Sequence, residues 1–165
     1  MASSSAVDRL TGVLTRDVLD ELDNQFGNRP GGDPWSVMIV DVDDFKMVND
    51  IHGHLTGDRV LQQVAWLLLR TVRSSDHVIR FGGDEFLVVL PSTPTLQAAN
   101  VAQRFLDDVA REPFPGELRI GVSLGLAEST EGERTLSSVT GRADQALYES
   151  KDRGKFRMSF FSRPT

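Results

Sequence analysis

The chain has 165 residues, of which 39% are hydrophobic and 25% are charged, and its formal net charge is -6 at pH 7. This length fits one domain of ordinary size, and the composition is typical of a folded globular protein. The acidic balance argues against nucleic acid as a partner, because proteins that bind a phosphate backbone usually carry a basic stripe. The chain has no cysteine, which excludes disulfides and thiolate metal sites and favours the cytoplasm.

The sequence predicts neither a membrane helix nor a secretory signal. The apolar runs, such as 64–69, are far shorter than the roughly 18 residues that a membrane helix requires. Residues 1–7 have neither the basic region nor the apolar stretch of a secretory signal. We therefore expect a disordered or vector-derived tail over 1–7 and a single domain over 8–165.

Hydrophobic periodicity and turn signals predict four helices and five strands. In chain order the first are a helix over 18–26, a strand over 36–41, a loop, a helix over 58–70 behind a Thr56 cap, and a glycine-linked hairpin of strands 78–81 and 85–90. They are followed by a helix over 95–109 with Thr93 as its cap and Pro94 as its first helical residue, a strand over 118–127, a helix over 136–151 and a strand over 157–161.

The order β, α, β, β, α, β between 36 and 127 is the ferredoxin-like arrangement of the α+β class. An extra helix precedes this core, and a helix and a strand follow it. In this topology the first strand lies beside the third and antiparallel to it. Asp41 at the end of the first strand should therefore lie next to the turn formed by Gly82–Glu85, a turn whose glycines suit positive φ angles.

Several carboxylates converge at this predicted sheet edge. Asp41, Asp43 and Asp44 follow the first strand, and Asp84 and Glu85 occupy the neighbouring hairpin. Unpaired carboxylates would repel one another, so Mg²⁺ or Mn²⁺ is the simplest source of neutralisation. We favour a metal for Asp41 with Asp84, and a solvated acidic loop for Asp43 and Asp44.

The sequence contains a set of motifs that resembles one family. Gly82–Phe86 reads GGDEF, and the other matches are 8–12 (DRLTG), 41–50 (DxDxFKxxND), 53–58 (GHxxGD), 123–125 (SxG) and 143–148 (ADxALY). Together they resemble the GGDEF family of diguanylate cyclases from Asp8 to about Lys155. The resemblance implies a nucleotidyl cyclase fold similar to a polymerase palm.

The same resemblance implies the catalytic and metal residues. Asp41, the carbonyl of Val42 and Asp84 would hold two Mg²⁺ or Mn²⁺ ions, and Glu85 would complete the acidic cluster. Asp84, Glu85 and Lys46 would be catalytic. Which acid accepts the proton of the attacking 3′-hydroxyl stays open.

Other matched positions are implied to bind GTP. Asn49 and Asp58 would contact the guanine edge, although Asp58 could instead stabilise a helix N-terminus. The triphosphate would be contacted by the amides near Phe45 and by Lys46, Lys151 and Lys155, the last standing where the family usually has arginine. His54 would contact the ribose or order its loop. Gly82 and Gly83 either serve the turn alone or let the nucleotide approach the backbone.

Arg73 and Asp76 match the family's RxxD inhibitory motif, which implies feedback by cyclic di-GMP. Arg104 on the next helix could supply a second arm. The alternative for this motif is a surface ion pair of little energetic value.

The predicted function is conversion of two GTP to cyclic di-GMP and two pyrophosphates across a homodimer, in a bacterial cytoplasm and under an upstream sensory domain. The main alternative is a catalytically silent receptor for GTP or cyclic di-GMP. A cyclase using ATP and a nucleic-acid polymerase palm are further alternatives, which Asp58 and the acidic charge argue against.

Overall fold

The computed structural model describes residues 6–27, 32–132 and 135–161. Its strands are β1 (Ser36–Val42), β2 (His77–Arg80), β3 (Glu85–Leu90), β4 (Val122–Glu128) and β5 (Met158–Phe160). Its α-helices are α1 (Leu19–Leu22), α2 (Phe45–His52), α3 (His54–Thr71), α4 (Thr95–Arg111) and α5 (Leu136–Asp152). Short helical segments are Arg16–Val18, Asp23–Gly27 and Pro115–Glu117.

The strands form one sheet in the order β2-β3-β1-β4-β5. Strand β1 is central and runs antiparallel to both β3 and β4, whereas β5 is parallel to β4. The first four strands have the ferredoxin-like order that the sequence predicted, with β5 added at one edge. The predicted α+β fold is therefore confirmed.

Helices cover both faces of the sheet, which explains why β1 is a continuous apolar run. Alternate side chains of β1 point to opposite faces. Met38 and Val40 contribute to a core with α3 and α4, and Val37 and Ile39 to a second core with α1 and α5. No helix among the described residues has the length and apolarity needed to cross a bilayer.

The predicted loop between β1 and the next helix is wrong, because α2 occupies most of it. Within α2 only Val48 is buried, whereas Met47 and Ile51 are exposed, so this short helix contributes little to the core. Gly53 has a φ of 88° and separates α2 from α3. Helix α3 consequently begins at His54, and the predicted Thr56 cap is wrong.

Two other predicted boundaries are also wrong. The cap position of α4 is Pro94, while the Thr93 hydroxyl donates to the Pro91 carbonyl. Strand β4 begins at Val122, so residues 118–121 lie outside it.

The N-terminal segment is attached to β2 and the hairpin. Leu14 forms isolated bridges with Val7 and with Ile79, and Arg80 forms an ion pair with Asp8. The predicted helix over 18–26 is divided among three short helical segments between Arg16 and Gly27. Residues 1–5 of the predicted tail lie outside the described residues.

Candidate active site

The pairing of β1 with β3 brings two acidic residues together at the edge of the sheet. Asp41 and Glu85 are register partners, and the Val42 N–H donates to the Asp84 carbonyl at 3.1 Å. The end of β1 thus meets the turn between β2 and β3, as the topology predicted. Asp84, in this turn, therefore lies beside Val42, the last residue of β1.

These carboxylates sit in a strongly acidic environment. Burial, and then the charge of Asp84, raises the pKa of Asp41 to about 6, although Lys151 opposes the rise. Burial, and then the charges of Asp41 and Asp144, raises the pKa of Glu85 to about 7. A cation bound here would relieve this repulsion.

The donor set fits a hard divalent cation that also has ligands from a substrate. Among the described residues, no three His, Cys, Asp or Glu side chains are grouped to hold a metal by themselves. Mg²⁺ is commonly bound by one or two carboxylates together with substrate phosphates. Asp41, Asp84 and the Val42 carbonyl supply oxygen donors of that kind.

The glycines of the hairpin turn do not adopt the backbone conformation predicted for them. Neither Gly82 nor Gly83 has a positive φ, so the prediction of a left-handed turn is wrong. The Phe81 and Gly82 N–H groups both donate to the Glu85 carbonyl, at 2.8 and 3.0 Å, and close the turn in ordinary backbone conformations. A Cβ at Gly83 would meet no described atom within 4 Å.

Helix α2 begins at Phe45, shortly after β1 ends at Val42, and its N-terminus has no side-chain cap. Asp44 occupies the cap position with a φ of 53°, and its side chain makes no capping hydrogen bond. Uncapped first-turn amides at a helix N-terminus suit an anion. Lys46 follows on the same turn, is exposed and makes no ion pair with any residue the structure describes.

Asn49 and Asp58 come from the two helices on either side of Gly53. The Asn49 Oδ1 atom is buried and has no hydrogen-bond partner among the described residues. A Cβ at Gly57 would overlap that atom, so the glycine lets α3 approach the Asn49 amide. Asp58 is the fifth residue of α3, beyond the first turn where a carboxylate favours the helix dipole.

Asp43 is buried, so the prediction that it belongs to a solvated acidic loop is wrong. Its Oδ1 accepts hydrogen bonds from Ser123 Oγ at 2.6 Å and Lys151 Nζ at 2.9 Å. Its Oδ2 accepts from the Phe156 N–H at 3.0 Å. Lys151 Nζ also lies 3.6 Å from Asp41 Oδ1.

By contrast, Asp44 is half exposed and pairs with Lys155 Nζ at 2.6 Å, which raises the pKa of Lys155.

A family model described as the diguanylate cyclase GGDEF domain matches residues 5–157. The chain belongs to the GGDEF domain family of diguanylate cyclases.

Similar proteins come from several bacteria. The chain is 40% identical to diguanylate cyclase DgcP of Pseudomonas aeruginosa, over 92% of this chain and 23% of that protein. It is 34% identical to the response regulator PleD of Caulobacter vibrioides, over 92% of this chain and 35% of that protein. The chain thus spans about a quarter to a third of the length of these two relatives.

A solved structure agrees with the fold over nearly the whole chain. The GGDEF domain of DgcB from Caulobacter crescentus, in complex with c-di-GMP, superposes with a TM-score of 0.87 and 31% identity. The match covers 99% of this chain and 97% of that chain.

In this GGDEF domain the RxxD motif lies on the α3–β2 connection. The side chain of Asp76 is buried and accepts from the Arg73 N–H at 2.8 Å. The Arg73 guanidinium, more than half exposed, contacts Asp76 and the Pro91 carbonyl and donates to Thr93 Oγ1 at 2.7 Å. Arg104 is exposed on α4.

The sequence reasoning missed several groups around Glu85. Glu85 lines a cavity of about 530 Å³ together with Arg16, Phe81 and Asp144. The Arg16 guanidinium stacks 4.2 Å from the centroid of the Phe81 ring. Asp144 belongs to the ADxALY motif, whose position in the family pattern could have drawn attention to it.

Proposed function

We propose that this GGDEF domain converts two GTP molecules to cyclic di-GMP and two pyrophosphates. The observation that carries the proposal is the β1–β3 pairing, which places Asp41 against Glu85 and the Asp84 turn. The name of the relative DgcP, diguanylate cyclase, supports the same activity.

Asp41, Asp84 and the Val42 carbonyl would hold Mg²⁺ or Mn²⁺, two ions per site, with Glu85 completing the acidic cluster. Such ions lower the energy of the attacking and leaving oxygens in nucleotidyl transfer. Glu85 has a pKa near neutrality and lies beside Asp41, so it is suited to accept the proton of a 3′-hydroxyl.

The junction of α2 and α3 would recognise guanine. The Asn49 side-chain amide can donate to the oxygen acceptor of guanine, and Asp58 can accept from the N1 and N2 donors of guanine. Adenine lacks these two donors on that edge, so the pair favours GTP over ATP. His54, exposed at the start of α3, would contact the ribose.

The triphosphate would lie over the N-terminus of α2. The amides of Phe45 and Lys46, together with the Lys46 ammonium, would contact phosphate oxygens. Lys151 and Lys155 would add positive charge where pyrophosphate leaves. Gly82 and Gly83 leave the turn open to the nucleotide because a side chain there would occupy the approach.

Two domains must face each other, because one site with one GTP cannot close a ring of two phosphodiester bonds. Each domain would present its 3′-hydroxyl to the α-phosphate held by the other. Arg73, Asp76 and Arg104 would bind cyclic di-GMP as an inhibitor. A longer protein with a sensory segment ahead of residues 8–165, in a bacterial cytoplasm, fits the regulatory name of PleD.

The proposal is tested by incubating concentrated protein with Mg²⁺ and either GTP or ATP and separating the products by chromatography. Cyclic di-GMP from GTP alone, with a rate that rises with the square of protein concentration, would support the cyclase and a transient dimer. GTP binding without product, even after forced dimerisation, would favour a silent receptor instead.

A further inference from the structure

Asp43 connects three separate parts of the fold through one carboxylate. The side chain is 7% exposed and accepts hydrogen bonds from β4, from α5 and from the turn that follows α5. Its own N–H donates to the Gly121 carbonyl at 2.9 Å, which fixes its backbone as well. The residue lies between Asp41 at the end of β1 and Phe45 at the start of α2.

The turn after α5 needs such an anchor. Gly154, Lys155 and Phe156 have φ angles of 112°, 66° and 52° in succession, and the left-handed region is costly for side-chain-bearing residues. The Phe156 N–H is held by Asp43, and the Lys155 N–H by the Ser150 carbonyl at 2.9 Å. The Phe156 ring packs where a Cβ on Gly121 would lie.

Lys151 is the side chain through which Asp43 acts on the proposed substrate site. Lys151 Nζ is 2.9 Å from Asp43 and 3.6 Å from Asp41, so Asp43 holds the ammonium at the margin of the acidic cluster. When a substrate phosphate and its cation occupy Asp41, Asp43 would remain as the lysine's fixed partner. A buried, charge-assisted hydrogen bond orients a flexible lysine better than solvent does.

We propose that Asp43 is a positioning residue that fixes Lys151 and the 154–156 turn for binding the triphosphate, without touching substrate itself. The inference rests on the proposed function, in which Lys151 contacts GTP. Asp43→Asn retains the size of the side chain. Its single amide oxygen can still accept from the Phe156 N–H and its NH2 group can donate to Ser123 Oγ, but the charge that holds Lys151 is removed.

The experiment measures the affinity of a non-hydrolysable GTP analogue and of guanosine, with Mg²⁺, for the wild type, Asp43→Asn, Lys151→Ala and the double variant. We expect Asp43→Asn to weaken analogue binding roughly tenfold while guanosine affinity is unchanged. In the Lys151→Ala background, Asp43→Asn should have little further effect, because both changes remove the same interaction. Asp107→Asn, the same change on the exposed face of α4, should alter neither affinity.

Equal losses for guanosine and the analogue, or fully additive effects in the cycle, would show a merely structural role and overturn the inference. If Asp43→Asn does not fold, Ser123→Ala provides the test, because it removes a hydrogen bond that fixes the Asp43 carboxylate, and so loosens its hold on Lys151, without changing either charged residue. It should weaken analogue binding selectively, and an unchanged analogue affinity would contradict the proposal. If the wild type itself binds no GTP analogue, the proposed function fails rather than the role of Asp43.

Discussion

Asp41 and Glu85 are register partners on adjacent antiparallel strands, so two acidic side chains lie side by side on one face of the sheet. Like charges directly opposite each other on neighbouring strands oppose folding. The arrangement is unfavourable for the protein alone, and a bound cation would relieve the repulsion.

The metal-free protein should lose stability as the pH rises. The pKa values of Asp41 and Glu85 are raised from 3.8 and 4.5 to about 6 and about 7, chiefly by burial. Between the unfolded and the folded pKa of each carboxyl, the folded state binds more protons than the unfolded state. The free energy of unfolding therefore falls as pH rises from about 4 through about 7. Thermal unfolding in a chelator at pH 5 and pH 8 measures this loss.

Glu85→Gln should flatten this pH dependence, whereas Glu149→Gln, the same change at an exposed position of α5, should leave it as in the wild type. Added Mg²⁺ should stabilise the wild type more at pH 8 than at pH 5. A Glu85→Gln profile with the wild-type slope would show that this carboxyl does not cause the effect.

Gly57→Ala should block the guanine site and preserve the fold. The added Cβ would overlap Asn49 Oδ1, so the whole Asn49 side chain must move away from its place at the proposed guanine site. We expect GTP affinity to fall roughly tenfold or more. Calorimetric titration with a GTP analogue measures the loss.

Gly141→Ala is the matched control, because a Cβ there meets no described atom within 4 Å. It should bind normally and gain up to about 1 kcal/mol of stability, since alanine is the better helix former. Equal GTP affinity in Gly57→Ala and the wild type would remove Asn49 from the proposed guanine contacts.

Arg73→Ala should relieve product inhibition. Arg73 is already oriented by Asp76, Pro91 and Thr93, so its guanidinium is prepared to grip a phosphate bidentately. We expect the cyclic di-GMP concentration that halves the rate to rise roughly tenfold or more. Arg111→Ala, which removes an exposed arginine of α4, should leave inhibition intact. If the inhibition constant of Arg73→Ala is unchanged, Arg73 and Asp76 form only a local ion pair and do not bind the inhibitor.

The sequence predicted the parts of the fold that depend on local pattern and on topology. Alternating and continuous apolar runs located the strands, and the ferredoxin-like order then placed Asp41 beside the hairpin. Helix α2 was missed because it has only eight residues, ends at Gly53 and buries only Val48. The first residues of α3 and β4 were also predicted wrongly. Helix α3 begins directly after Gly53 and strand β4 begins after a loop that ends before Val122, and at both places the backbone geometry decides where the element starts.

The role of Asp43 was not accessible from its neighbours in the sequence. Its partners Ser123, Lys151 and Phe156 lie 80, 108 and 113 positions away along the chain. A run of three nearby aspartates suggests a solvated loop, and only the packing of β4 and α5 around the end of β1 distinguishes the buried one from its exposed neighbour Asp44.

The most direct test of the central claim compares the wild type with Asp84→Ala for turnover of GTP in the presence of Mg²⁺. The account predicts that the wild type forms one cyclic di-GMP and two pyrophosphates from two GTP, and that Asp84→Ala remains folded and loses product formation by roughly a hundredfold or more. Asp107→Asn should turn over as the wild type does. A folded, GTP-binding and dimeric wild type that forms no cyclic di-GMP, or an Asp84→Ala variant with undiminished product, would contradict it.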